Sequence, residues 1–362
     1  MYDMFRVLMM GIFTIIISLF ITPIIRKIAF KVGATDAPDK RRVNTKVMPT
    51  MGGLAIYLSF FFSIFFLQPI SYSVSIPIFI AATLVIVTGV VDDIKELKPK
   101  FKLLGLIIAA LIIYFVADVR MNLISIPLVG DFKLGLLSLP MTMLWILAIT
   151  NAVNLIDGLD GLASGISIIA LGTMSIISFF FLGGSNIPVF IMIFTLVCAI
   201  LGFFPYNFHP AKIFMGDTGA LFLGFMISVL SLYGLKNVTF ISLIIPITVL
   251  GIPITDTIYA MLRRYLNHMP ISSADKHHMH HRLMSLGLTH KQTVLTIYAI
   301  ALIFSLIALL FPMTTVGGTV LILVGLLIGL ELFVELIGLV GEDRRPLLKK
   351  LRQIANKINK KD

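Results

Sequence analysis

The feature that most constrains this chain is a succession of apolar runs, each about as long as a bilayer is thick. A helix needs about 20 apolar residues to cross a hydrocarbon core of about 30 Å. The 362 residues are 58% hydrophobic and only 13% charged, with a mean hydropathy of +1.02. We therefore predict an all-α polytopic membrane protein, because lipid-exposed backbone must satisfy its own hydrogen bonds.

Eleven runs separated by polar breaks are predicted to be membrane spans. They cover residues 7–25, 49–68, 74–91, 102–117, 137–153, 162–182, 187–204, 217–234, 239–261, 293–311 and 316–339. The first run is longer than a signal-peptide core and lacks a cleavage signature, so we expect it to remain as a span. We expect one membrane domain, residues 1–341, followed by a basic cytoplasmic tail, residues 342–362, that forms an interfacial helix on anionic lipid.

Lys and Arg residues are distributed unevenly between alternate connectors. One face, with the tail, carries 25 of them, whereas the other carries 4. Because basic residues accumulate on the cytoplasmic side, this asymmetry places the C-terminus in the cytoplasm and the N-terminus outside. Topology thus explains the formal charge of +11, and we expect no nucleic-acid partner.

The connectors richest in carboxylates, amides and histidines are separated from one another by even numbers of predicted crossings. They therefore meet on the cytoplasmic face. Four polar islands within these connectors are predicted to share one site there.

The first island contains the adjacent residues Asp92 and Asp93, followed by several lysines ending at Lys102. Paired aspartates with cations close behind suit a site that handles both a metal and a phosphate. The alternative is an interfacial cap that merely marks the end of a span. Ionisable groups at hydrocarbon depth are costly, which favours the functional interpretation.

The second island repeats polar residues at three-residue spacing: Asn151, Asn154, Asp157 and Asp160. On a helix end this spacing brings side-chain oxygens towards one face. The ligand order of a calcium-binding loop is absent. A turn in which polar residues close a hairpin is the remaining alternative.

The third island includes Lys212 and places Asp217 between glycines at the start of a span. A helix N-terminus offers free amides to a phosphate, and Asp217 could hold a cation beside it. Asp217 could equally serve as an N-cap, and the two roles are compatible.

The fourth island runs from Asp275 to Arg282 and contains His278, His280 and His281. Zinc is disfavoured because no paired metal-binding helix motif is present and the only cysteine, Cys198, lies in an apolar run. A solvated loop is the other alternative. Hydrogen bonding to a pyrophosphate or to sugar hydroxyls is the preferred interpretation.

Two weaker signals remain. The stretch 34–49 has the composition of a basic phosphate-facing loop, although a solvated connector explains it equally well. Asp256, Glu331 and Glu335 lie within or near apolar runs, where they are either intramembrane functional groups or, for the two glutamates, groups packed between helices.

In this order the islands resemble the polyprenyl-phosphate N-acetylhexosamine-1-phosphate transferase family. The resemblance covers nearly the whole chain and rests on Asp92-Asp93, residues 151–161, residues 214–219 and residues 278–281. The histidine segment resembles that of the branch that uses UDP-N-acetylglucosamine (UDP-GlcNAc) and starts teichoic-acid, O-antigen or enterobacterial-common-antigen lipids. It does not match the peptide-carrying muramyl branch.

The resemblance implies transfer of a sugar 1-phosphate from UDP-GlcNAc to undecaprenyl phosphate, releasing UMP, in a bacterial plasma membrane. It implies Mg²⁺, replaceable by Mn²⁺, held by Asp217 with Asn154 assisting. The roles it implies for other residues are nucleotide contact for Asp157 and Asp160, lipid-phosphate contact for Lys102, and pyrophosphate or GlcNAc contact for His278, His280, His281 and Arg282.

Asp92 is the candidate for deprotonating or orienting the lipid phosphate, and Asp93 is grouped with it as catalytic. Asn151 and Lys212 are further candidates for substrate contact. We expect direct attack by the lipid phosphate rather than an aspartyl-phosphate intermediate, and a homodimer is left open.

The competing class is an ion-coupled secondary transporter, in which membrane-embedded carboxylates are also common. It would need polar groups near the bilayer midplane, whereas here they are concentrated at one edge. A lipid scaffold or scramblase would not require so many amides, aspartates and histidines.

Overall fold

The structure is a computed structural model that describes residues 4–38, 46–67, 70–126, 130–181, 187–234, 240–269, 278–339, 346–350 and 353. Its α-helices are α1 (Met4–Val32), α2 (Gly53–Phe62), α3 (Tyr72–Lys95), α4 (Pro99–Phe115), α5 (Ser138–Ile156), α6 (Leu162–Phe180), α7 (Ile187–Asn207), α8 (Gly216–Gly234), α9 (Phe240–Val249), α10 (Gly251–Leu266), α11 (Met279–Ser285), α12 (His290–Leu310) and α13 (Val316–Ile337).

Shorter elements complete the described chain. A π-helical turn, Ser63–Leu67, continues α2, and 3₁₀ turns at Gly135–Leu137 and Phe311–Met313 flank α5 and α12. Two short antiparallel pairs join β1 (Thr35–Asp36) to β2 (Met48–Pro49) and β3 (Leu123–Ile126) to β4 (Gly130–Lys133). The protein is all-α apart from these pairs within the described ranges.

Within the described residues, each apolar run identified in the sequence overlaps at least one α-helix. Within the described residues, eight helices are long and apolar enough to cross a membrane, and a bent pair of helices could form a ninth span. The apolar helix Gly53–Leu67 is shorter. The chain is therefore a multi-pass membrane protein, while the count of eleven crossings and the placement of the termini stay predictions.

The run predicted as one span over 239–261 is broken. Its two halves, Leu243–Val249 and Gly251–Leu266, meet at an angle of 78°. Pro253 has no N–H, so it cannot donate to Val249 and continue the hydrogen-bonding ladder of α9. In the first turn of α10, where N–H groups lack helical partners anyway, the same residue is tolerated. The break leaves α10 as a separate helix that leads into the histidine segment.

Helix α8 forms the centre of the bundle, and 83% of an 18-residue apolar stretch within it is buried. It packs against α3 and α5. The approach of α3 is so close that a methyl group on Gly89 would lie 2.5 Å from the Thr218 Cα. Trp145 of α5 donates its indole N–H to Ser231 Oγ over 3.1 Å. Small residues and interhelical hydrogen bonds of this kind hold helices together in lipid.

The periphery is looser, and α1 and α13 expose large apolar side chains along much of their length. Helix α1 is nonetheless tied to its neighbours by Thr14, which donates to Ser63 Oγ over 2.7 Å, and by Ser18, which donates to the Ala199 carbonyl over 2.7 Å. Next to this contact on α7, the thiol-bearing Cys198 is buried, with 3% exposure.

Both glutamates of α13 have partners. Glu331 accepts from the Tyr259 hydroxyl, and Glu335 accepts from the backbone N–H groups of Leu347 and Leu348 over 2.9 and 2.8 Å. Residues 346–350 are helical. Most of the basic tail lies outside the described residues, so its predicted interfacial position stays a prediction.

Candidate active site

A cavity of about 1030 Å³ lies where the ends of α3 and α5 meet the starts of α4, α6 and α8. Residues from all four polar islands line it, together with parts of the connector between α1 and α2. The charged and imidazole residues of its wall are Asp36, Lys46, Asp92, Asp93, Lys95, Glu96, Lys102, Asp157, Asp160, His209, Asp217, His280, His281 and His290. The structure therefore brings segments more than 180 residues apart in sequence around one opening.

Asp93 fixes the start of α8. Its Oδ1 accepts the Asp217 N–H over 2.9 Å, and its Oδ2 accepts the N–H and the hydroxyl of Thr218 over 3.2 and 2.6 Å. A carboxylate satisfies otherwise orphaned amides at a helix N-terminus and favours its dipole. Both oxygens of Asp93 thus hold Asp217 and Thr218 at the start of α8, and the predicted catalytic role of Asp93 stays a prediction.

Gly216 allows this capping arrangement. Its φ is +68°, and a methyl group there would lie 2.4 Å from Asp93 Oδ2. A side chain would therefore meet both backbone strain and a clash.

Lys102 is the cation at the centre of the site. Its ammonium bonds to Asp217 Oδ2 and lies 2.6 Å from Asp92 Oδ2. Asp217 Oδ1 also accepts from Asn154 Nδ2 over 2.9 Å, while Asp92 Oδ1 accepts the Leu97 N–H over 2.8 Å. The ends of α3 and α5 and the starts of α4 and α8 thus meet through one ion-paired cluster, which we call the Lys102 cluster: Asp92, Lys102, Asn154 and Asp217.

Asp157 follows α5 and faces the same cavity. Burial raises the pKa of Asp157 well above its usual range, and the negative charges of Asp217 and Asp93 raise it further. Seven carboxylates and three lysines line the cavity, so negative charge predominates in its wall. Such a site favours a bound cation.

Asp160 joins two connectors through histidines. Its Oδ2 lies 2.9 Å from His209 Nδ1 and accepts the Ala211 N–H over 3.0 Å, while its own N–H donates to His290 Nε2 over 3.1 Å. The rings of His209 and His290 stack with centroids 4.4 Å apart. One ligand atom from each residue of this trio lies within 4.8 Å of the others, close enough to hold a metal ion. These hydrogen bonds already account for the arrangement without one.

Sequence reasoning did not single out His209 or His290. His209 lay within the third island as one unremarked residue. His290 opens α12 just after the capping box formed by Thr289 and Gln292, a signal of a helix start but not of a site.

The histidine segment contributes His280 and His281 of α11 to the cavity wall. His280 is 3% exposed and its ring lies against Gly158, where a methyl group would be 2.5 Å away. Burial lowers the pKa of His280 to about 3, with a further contribution from His281. His280 is therefore neutral at physiological pH, so it can offer a ligand hydrogen bonds but not a positive charge.

Four of the predicted substrate contacts lie away from the cavity wall in the described residues. Asn151 donates to the Leu147 carbonyl, Lys212 lies over the Tyr206 ring, and Arg282 Nε donates to the Ile337 carbonyl over 2.9 Å. His278 is bonded to Asp256. Asp275–His277, and Lys40 to Arg42 of the basic loop, lie outside the described residues.

The residues present fit a magnesium ion. Mg²⁺ prefers carboxylate and amide oxygens and takes only one or two from the protein, leaving the rest to water and phosphate. Asp217 supplies a carboxylate, and rotation of the Asn154 side-chain amide would present its oxygen. The surplus of carboxylates around Asp157 matches a divalent cation.

Comparison with known proteins identifies a family of transferases. Residues 75–235 match the model of glycosyl transferase family 4. The chain is 42% identical to the probable undecaprenyl-phosphate N-acetylglucosaminyl 1-phosphate transferase of Bacillus subtilis, over 98% of both chains. It is 32% identical to the decaprenyl-phosphate N-acetylglucosaminephosphotransferase of Mycolicibacterium smegmatis, over 80% of this chain and 78% of that one.

The phospho-N-acetylmuramoyl-pentapeptide-transferase of Borrelia turicatae is 29% identical over 85% of this chain and 95% of its own.

Fold, cavity and relatives together define a multi-pass membrane enzyme. The chain belongs to the polyprenyl-phosphate N-acetylhexosamine-1-phosphate transferases of glycosyl transferase family 4.

Proposed function

We propose that this enzyme transfers N-acetylglucosamine 1-phosphate from UDP-GlcNAc to undecaprenyl phosphate and so initiates a lipid-linked cell-wall or surface glycopolymer. The observation that carries the proposal is the Lys102 cluster. One lysine and two carboxylates, drawn from three helices, lie at a polar opening in an otherwise apolar bundle. The names of the Bacillus and Mycolicibacterium relatives supply the donor group and the polyprenyl class of acceptor.

The reaction exchanges one phosphoanhydride bond for another. An oxygen of the lipid phosphate attacks the phosphorus that carries the sugar, and the bond from that phosphorus to the bridging oxygen of UMP breaks. UMP leaves with the electron pair. Catalysis of such a transfer is mainly positioning and neutralisation of negative charge.

Lys102 and Asp92 are proposed to receive the lipid phosphate. The ammonium of Lys102 attracts the anion, and Asp92, held by the Leu97 N–H, orients it or accepts its remaining proton. A phosphate monoester has a second pKa of about 6, so a strong base is not needed. Direct attack therefore requires no phosphorylated aspartate.

Asp217 and Asn154 are proposed to hold Mg²⁺, with Mn²⁺ as a substitute. The ion supplies charge neutralisation for the donor pyrophosphate. Asp93 keeps Asp217 in place through the α8 N-terminus. Asp157, Asp160 and the α11 histidines, His280 and His281, complete the wall on which the nucleotide sugar lies.

The proposal includes a topology in a bacterial plasma membrane. Eleven crossings with the N-terminus outside place the cavity at the cytoplasmic face, where UDP-sugars are made. The unequal distribution of Lys and Arg supports this orientation.

The test is reconstitution. Purified protein with Mg²⁺, UDP-GlcNAc and undecaprenyl phosphate is expected to release UMP and to form a lipid-linked GlcNAc pyrophosphate in equal amounts. Omitting the lipid should abolish UMP release. UMP without lipid product, a phosphorylated protein in the absence of lipid, or no turnover with any UDP-N-acetylhexosamine would contradict the proposal.

A further inference from the structure

A buried carboxylate on α10 contacts the start of α11. Asp256 is 1% exposed and is not one of the residues that line the cavity. Its Oδ2 accepts His278 Nδ1–H over 2.8 Å, and its Oδ1 accepts the Met279 N–H over 2.7 Å. A buried carboxylate is costly unless hydrogen-bonded. Here each oxygen has a partner, and both partners belong to the same short stretch of chain.

This contact fixes His278 in one orientation. A carboxylate that accepts from Nδ1–H selects the tautomer and the ring plane of an imidazole. The ring of His280 lies nearly parallel to that of His278, at an interplanar angle of 4° with centroids 6.1 Å apart. His280 in turn reaches the cavity beside Gly158. Asp256 therefore holds the start of the short helix that carries the cavity residue His280.

Polar contacts to residues outside the cavity wall hold α11 in place. Arg282 Nε donates to the carbonyl of Ile337 at the end of α13, and Asp256 holds the other end of α11. His280 lines the cavity, and among the described residues its Nδ1 is buried without a hydrogen-bond partner. Buried polar atoms without a partner are uncommon, and a bound ligand or water is one way to satisfy them.

We propose that Asp256 is a positioning residue of the transferase, which through His278 and the Met279 amide orients α11 so that His280 contacts the pyrophosphate or sugar of the donor. The inference rests on the proposed function and extends it to a residue that does not touch substrate. It also changes the part assigned to His278, which acts through its Nδ1 on Asp256 rather than on the donor.

The first experiment measures steady-state kinetics of the Asp256→Asn variant. An amide cannot accept with both atoms, so one donor of α11 loses its partner. We expect KM for UDP-GlcNAc to rise about 10- to 100-fold, the range seen when a group that orients a functional imidazole is removed. KM for undecaprenyl phosphate should stay unchanged. The matched control is Thr257→Val on the same helix, where the hydroxyl donates to the Pro253 carbonyl within α10.

A double-mutant cycle separates positioning from general destabilisation. If Asp256 acts through His280, the Asp256→Asn change should have little further effect on KM for UDP-GlcNAc in a His280→Ala background. Additive effects of the two substitutions would overturn the proposal.

A second pair of variants keeps the test informative if Asp256→Asn fails to fold. His278→Asn retains a donor near the position of Nδ1, whereas His278→Leu does not. We expect His278→Asn to keep at least about a third of wild-type kcat/KM and His278→Leu to lose about tenfold or more. Equal losses would show that Nε2 of His278 meets the donor directly and would contradict the proposal.

Failure of this inference is distinguishable from failure of the proposed function. If the wild-type protein releases no UMP, the proposed function fails. If the wild-type protein is active but Asp256→Asn behaves like Thr257→Val, only the positioning role of Asp256 fails.

Discussion

Lys102 of α4 and Asp217 of α8 form a direct ion pair although 115 residues separate them in sequence. The same ammonium reaches Asp92, so one cation serves two carboxylates. A Lys102→Met substitution should lower kcat/KM at least about 100-fold, because it removes charge neutralisation at the reacting phosphates. Steady-state UMP release measures this, and Lys100→Met, in the exposed first turn of the same helix, should be nearly neutral.

The Lys102→Met substitution should also change the stability of the protein and its response to Mg²⁺. Without Lys102 the two carboxylates repel each other, so the metal-free variant should be destabilised by about 1 to 2 kcal/mol, discounted because the pair is partly exposed. Mg²⁺ should therefore raise the melting temperature of the variant more than that of the wild type. Thermal unfolding in detergent with and without Mg²⁺ tests this, and an equal Mg²⁺ shift in both proteins would contradict it.

Asp217 is the proposed metal ligand, and its removal should be more severe. The Asp217→Asn variant should lose about 1,000-fold in UMP release and lose most of its Mg²⁺-dependent thermal shift. Asp118→Asn is the matched control, since Asp118 is an exposed aspartate paired with Arg120. Retention of the full Mg²⁺ shift in the Asp217→Asn variant would place the ion elsewhere.

The raised pKa of Asp157 predicts a pH-dependent effect on stability. The folded, metal-free protein holds this proton more tightly than the unfolded chain does, so folding stability falls as pH rises from about 3.9 through the raised pKa. The Asp157→Asn variant escapes this loss. Its melting temperature in chelator should exceed that of the wild type at pH 8, and the difference should shrink as the pH is lowered to 5. A difference that is constant with pH would be inconsistent with the burial of this charge.

A side chain at position 216 is predicted to destabilise the protein, and Gly172 provides a matched control. A Gly216→Ala substitution forces a side chain into positive φ and towards Asp93, and should cost about 2 kcal/mol together with most of the activity. For Gly172→Ala on α6, the added methyl group would meet no other described part of the protein within 4 Å, apart from the adjacent turns of its own helix. This substitution should be neutral or stabilising by about 0.5 to 1 kcal/mol. Equal melting temperatures of the two variants would argue against the clash.

The helical bundle could be predicted because apolar runs of bilayer length have few alternatives. The bend before α10 could not, since Pro253 is compatible both with a kink inside one span and with the first turn of a new helix. Asp92, Asp157 and Asp217 could be placed at one site because parity of crossings brings distant connectors to one face. Which of two adjacent aspartates caps α8 depends on the rotation of α3, and spacing alone does not give it.

Side-chain direction explains why other residues predicted to contact substrate lie away from the cavity wall. Asn151 shares the three-residue spacing of Asn154, yet it lies one turn earlier on α5 and bonds to its own helix. His278 and His280 lie two residues apart, which on a short helix turns them to different neighbours. Lys212 and Arg282 were chosen for charge, and long side chains reach whichever partner the fold offers.

The burial of Cys198 makes it easier to test the topology on which the mechanism depends. A thiol enclosed by the bundle is slow to react with membrane-impermeant maleimides, so the natural chain already serves as an unlabelled background. Single cysteines introduced into exposed connectors, such as that after α4, can then be assigned to one aqueous compartment or the other without first removing the native residue.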